Sequence, residues 1–220
     1  MPDIDSFLRQ FAIWALPVLF AITVHEVAHG WVAWKRGDPT AMLMGRLTLN
    51  PLRHIDLFGT VLLPAVLLLF HSPFLFGYAK PVPVNFEGLR NPRRDMVLVA
   101  VAGPLANLLM ALFWTAILWL GAHLPGVIAY FAEPMELMGQ AGIIINVVLF
   151  LFNLIPIPPL DGGRVAVGLL PPNASDILAR IEPYGFIVLI VLLFSGVLGL
   201  ILGPPFVFIR DFFLHLGGLI

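Results

Sequence analysis

The chain has no cysteine among its 220 residues, which excludes disulfides and thiolate metal sites. Charge is scarce: 11% of the residues are Asp, Glu, Lys or Arg, less than half the share usual in soluble domains. Lys and Arg are missing altogether from His123 to Glu136. The start of the chain also lacks a basic stretch, carrying Asp3 and Asp5 instead, and no small-residue cleavage site follows. The first apolar run is therefore expected to be retained rather than removed as a signal peptide. A net charge of −1 offers no footprint for a nucleic-acid partner. What is abundant is apolar surface, at 60% of residues and a mean hydropathy of +0.97. A soluble core of this size cannot enclose so much, so the lipid bilayer is the expected solvent.

Four apolar runs are long enough to cross a bilayer: Phe11 to Trp34, Met96 to Ala122, Leu137 to Ile155 and Tyr184 to Leu202. They predict helices over about 8–34, 95–122, 136–155 and 183–202. Placing the C-terminal end of the first helix in the cytoplasm puts ten of the twelve basic residues inside. The second helix then also begins inside, so the intervening apolar stretch, interrupted by Pro64, crosses an even number of times or not at all. It reads as a re-entrant hairpin over 57–78, tolerable at that depth when packed on protein or facing a water cavity. Gly37–His54 reads as a short strand and turn, and Pro81-Val82-Pro83-Val84-Asn85 as an extended piece. The expected architecture is an all-α integral membrane protein, a polytopic bundle forming one membrane-embedded domain over 1–220. Its expected location is the cell membrane, in multi-pass topology.

The chemistry concentrates in His25-Glu26-Val27-Ala28-His29. Positions four apart share a helix face, so this spacing lets two imidazoles hold one Zn²⁺ with Glu26 beside a catalytic water. At membrane depth each ionisable side chain costs a few kcal/mol, and three within five residues need a common reason, which a metal supplies. A catalytic zinc takes three protein ligands and leaves one position open. Asp161 is the best third candidate. It follows Pro156, Pro158 and Pro159, which stop the helix, and precedes Gly162 and Gly163, which allow a tight turn. On its own it would read as a solvated turn aspartate.

These motifs, together with Ala102-Gly103-Pro104-Leu105-Ala106-Asn107, Gly45–Pro51 (GRLTLNP), Ala79–Asn85 (AKPVPVN) and Asn153–Gly163 (NLIPIPPLDGG), resemble the site-2 protease family of intramembrane zinc metalloproteases. Within it, the closest likeness is to the small bacterial subgroup without a PDZ domain. The likeness spans Phe11 to about Leu170. It implies a three-helix catalytic core, Zn²⁺ held by His25, His29 and Asp161, and Glu26 as general base; the distribution of basic residues puts that active site toward the cytoplasmic side. It also implies hydrolysis of peptide bonds in or near transmembrane segments, with transmembrane proteins or peptides as substrates. Asn153 matches the family asparagine expected near the scissile carbonyl; the alternative is a hydrogen bond between helices. Asn107 and Asn146 read as such packing contacts, and Gly103 and Pro104 as a close helix approach or a kink. His54 is either a regulatory or substrate contact or, with Asp56, a plain turn pair. The rival to the whole reading is a non-catalytic membrane metal-binding or scaffold protein with a protease-like fold.

Overall fold

The computed structural model describes residues 4–62, 66, 69 and 80–219, and among these every regular element is helical. The long helices are α1 (Ile4–Arg36), α3 (Pro92–Ala122), α4 (Ala132–Asn153) and α8 (Val197–Leu216). Shorter ones are α2 (Thr40–Leu43), α5 (Asp161–Leu169), α6 (Pro172–Ala179) and α7 (Glu182–Phe194). At 33 residues α1 is about 50 Å long, well beyond the ~30 Å hydrocarbon layer. The four long helices are each apolar enough to span a membrane; α6 and α7, bent by 68° at their junction, form a further broken candidate.

Helices α1, α3 and α4 pack on one another as the three-helix core, with α5 against α3 and α8 against α4 and α3. Small residues set the closest approaches. A Cβ on Gly139 of α4 would lie 2.7 Å from the Cβ of Leu118 on α3, and one on Gly142 would overlap the Trp114 ring. Backbones that near gain dispersion contacts, the main packing force between helices in lipid. Ala111, Trp114, Leu118, Ile143, Val147 and Phe213 form the largest buried cluster. The opposite faces stay apolar and exposed, as at Leu105, Leu109 and Phe113 of α3. Such a surface suits contact with lipid.

Three expectations need correction. The strand expected within Gly37–His54 is absent among the described residues: α2 and a 3-10 turn at Pro51–Arg53 flank irregular backbone. The neighbouring extended segment cannot supply a ladder, because Pro81 and Pro83 carry no N–H. Of its other donors, Val82 N–H goes to Glu26 (2.6 Å) and Asn85 N–H to Asp38 (2.7 Å), while the preceding Lys80 N–H makes a single bond to the His54 carbonyl (2.9 Å). The helix expected over 183–202 is broken at Ser195–Gly196, where Gly196 adopts φ 78°, a left-handed conformation that suits glycine. The tail from Phe206 to Leu216, whose poor alternation reads from the sequence as a segment on the membrane surface, instead forms the second half of α8 and buries Phe213 in the core. Of the re-entrant hairpin expected over 57–78, Leu57–Leu62 forms a helical turn, and most of the remainder lies outside the described residues.

Candidate metal centre

His25 and His29 stand one turn apart on α1, and α3 passes directly over them. This approach requires Gly103: a Cβ there would fall 2.3 Å from His29 Nε2 and 2.6 Å from His25 Cε1. Asp161 arrives at the first turn of α5, which packs on α3. The loop after α4 folds back tightly enough that a Cβ on Gly162 would lie 2.3 Å from the Leu154 carbonyl oxygen, and one on Gly163 2.2 Å from the Pro158 nitrogen. Two glycines in succession thus turn Asp161 inward. Arg93 of α3 fastens the other end of α5 by donating to the carbonyls of Gly168 (3.0 Å) and Leu170.

The three side chains converge. His25 Nε2 and His29 Nε2 are 3.0 Å apart, and Asp161 Oδ2 lies 3.2 Å from the first and 3.3 Å from the second. Tetrahedral zinc with bonds of ~2.0–2.1 Å needs ligand atoms about 3.3–3.4 Å from one another. The triangle matches that spacing closely. Its chemistry matches too. His29 Nδ1 is 2.7 Å from the Val99 carbonyl; a carbonyl only accepts, so Nδ1 carries the proton and Nε2 presents its lone pair. Asp161 Oδ2 is buried and accepts no hydrogen bond. Three electron-rich atoms held this close suit a shared cation. They form the only such His and carboxylate cluster among the described residues.

Glu26, next to His25 on α1, accepts the Val82 N–H with Oε2 at 2.6 Å. Asn153, near the end of α4, donates to the Leu149 carbonyl of its own helix (3.0 Å) rather than to another helix. His54 is buried, but it stands outside the cluster and its Nε2 donates to the Thr48 carbonyl at 2.9 Å. Asn107 and Asn146, which read from the sequence as packing contacts, do bond between helices, and Asn107 also reaches His25 Nδ1 at 2.6 Å. The sequence reading missed Val82 and Asp38. Asp38 is buried where α1 ends and accepts from the Thr40 and Asn85 backbone, which anchors the extended segment that carries Val82. The two prolines around Val82 were the available signal, since they leave one N–H to aim.

Fold and site together define a multi-pass membrane metallopeptidase. The family model for peptidase family M50 matches residues 13–136 and 128–196, so the chain belongs to that family, the site-2 proteases. It is 40% identical over 203 residues to a Bacillus subtilis protein provisionally named zinc metalloprotease YwhC, covering 91% of this chain and 89% of that one. Proteins provisionally named zinc metalloprotease Rip2 are also similar. The one from Mycolicibacterium smegmatis is 29% identical over 88% of this chain and 71% of its own length. The one from Mycobacterium tuberculosis is 28% identical over 87% and 69%. No solved structure matches the chain significantly. The protein is a zinc metalloprotease.

Proposed function

We propose that residues 1–220 form a single membrane-embedded peptidase domain that hydrolyses peptide bonds in or near transmembrane segments of membrane proteins. The observation that carries the reading is the triangle of His25 Nε2, His29 Nε2 and Asp161 Oδ2, with edges of 3.0–3.3 Å, set among helices whose outer faces are apolar. His25, His29 and Asp161 hold the zinc, Glu26 is the general base, and Asn153 meets the substrate. When bound, zinc polarises the scissile carbonyl and makes water acidic enough to be deprotonated near neutral pH.

The protein's own groups do the rest. With Oε2 engaged by Val82, Oε1 of Glu26 is the oxygen left to take a proton from the attacking water. Glu26 then passes that proton to the amine leaving group as the C–N bond breaks. The Asn153 side-chain amide donates to the substrate carbonyl oxygen, where negative charge develops. The substrate helix unwinds locally to expose its carbonyl, and the surrounding helices limit the water that reaches it. The clustering of Lys35, Arg36, Arg93 and Arg94 at the ends of α1 and α3 supports an active site toward the cytoplasmic side.

Zinc content and cleavage of a model transmembrane peptide, measured on the same preparations, test the assignment. His25→Ala, His29→Ala and Asp161→Ala should each lower both. If Asp161→Ala kept stoichiometric zinc at normal affinity, the third ligand would lie elsewhere, and His54 would be tested next.

A further inference from the structure

Asn107 of α3 and Asn146 of α4 are both fully buried, in a layer otherwise built of apolar side chains. A buried amide costs free energy unless each of its groups is paired. Here the pairing has a direction that two backbone carbonyls impose. Asn146 Nδ2 donates to the Gly142 carbonyl at 2.8 Å, and because a carbonyl only accepts, the amide nitrogen of Asn146 must be the atom on that side. Its Oδ1 therefore faces Asn107, whose Nδ2 donates to it at 2.9 Å. The same Nδ2 donates to the Ala21 carbonyl of α1 at 3.1 Å, so both of its hydrogens are committed. That leaves Asn107 Oδ1 as the atom 2.6 Å from His25 Nδ1. An amide oxygen cannot donate.

We infer that Asn107, held in one orientation by Asn146, is a positioning residue for zinc: it keeps the His25 proton on Nδ1 and the Nε2 lone pair aimed at the metal. Flipping the Asn107 amide would set nitrogen against His25 and oxygen against the Ala21 carbonyl and the Asn146 oxygen, at the loss of three hydrogen bonds. The two imidazoles are thus fixed by different means. His29 is set by a carbonyl of α3 alone, whereas His25 is set by a relay that runs α4 to α3 to α1. Removing the partner of a metal-bound histidine typically costs ~10–100-fold in metal affinity.

The inference rests on His25 being a zinc ligand, and the experiment separates the two. Zinc affinity of the full-length protein in detergent is measured by competition with a chromophoric chelator. Asn107→Leu should bind zinc about 10–100-fold more weakly. Asn107→Asp keeps an acceptor for the Nδ1 proton and should bind at least about tenfold tighter than the Leu variant. Asn146→Leu should fall between wild type and Asn107→Leu. Nitrogen-15 histidine spectra of the zinc-free wild-type protein should place the His25 proton on Nδ1, a readout independent of activity and of any variant's folding. A proton on Nε2 of wild-type His25, or equal affinities for the Leu and Asp variants, would overturn the relay. Wild-type zinc affinity in His25→Ala would instead overturn the ligand assignment beneath it.

Discussion

The backbone N–H of Val82 donates to Oε2 of Glu26 at 2.6 Å, joining the active-site helix to a segment 56 residues further along the chain. It is the one N–H between two prolines, and it holds one oxygen of the carboxylate in place. Glu26→Gln should retain zinc and lose hydrolysis by about 10²–10⁴-fold, because an amide keeps the shape but takes no proton. Zinc stoichiometry and single-turnover cleavage on one preparation check this, and turnover above a few per cent of wild type would remove Glu26 from the role.

Gly103→Ala should improve the local helix propensity by about 1 kcal/mol and still damage the enzyme. The added methyl would overlap both imidazoles, the nearer contact being 2.3 Å. We expect zinc affinity to fall at least tenfold while helix content measured by circular dichroism is unchanged. Equal zinc affinity would show that α3 can move away from α1 at little cost.

Asn153→Ala separates catalysis from packing. If its amide meets the substrate carbonyl, zinc and fold are kept and kcat falls by ~10²–10³-fold. A packing role would instead lower stability by roughly 0.6–2 kcal/mol with near-normal turnover per zinc. The bond of Asn153 to Leu149 stays within α4, so its loss leaves no other helix unpaired. Thermal melting and single-turnover rate per mole of zinc are the paired measurements.

Topology is testable because the native chain has no cysteine. A single cysteine at Arg94 should react with an impermeant reagent only from the cytoplasmic side, and one at Gly126 only from outside. Labelling of position 94 from outside would reverse the orientation of α3 and of the active site with it.

Much of the candidate site was legible in the sequence. His25 and His29 declare themselves because i, i+4 spacing on a helix is geometry that the sequence carries locally. Asp161 was legible for a related reason: prolines before it and glycines after it leave the backbone few options. The Asn107–His25 and Val82–Glu26 bonds were not, since their partners are 82 and 56 residues apart and meet only through helix packing. The break at Gly196 was hidden as well, because apolar composition runs on through it and hydropathy does not register a bend. The segment from Gly37 to His54 misled because extended residues form a strand only when a neighbour offers a row of free N–H and C=O groups, and Pro81 and Pro83 have no N–H to offer.

His29 and Asp161 are separated by 161 − 29 = 132 positions, yet their ligand atoms are 3.3 Å apart. An ion held between them is therefore a cross-link as well as a catalyst, closing a loop of more than half the chain. Helix α5 has nine residues, too few to persist unsupported, and it is docked chiefly on α3. Stripping the metal with a chelator should thus speed amide hydrogen exchange in Asp161–Leu169 well before it disturbs α3 or α4. The enzyme would then lose the wall of its active site together with its reagent, so that a zinc-starved cell would hold a protease whose cleft is slack rather than merely idle.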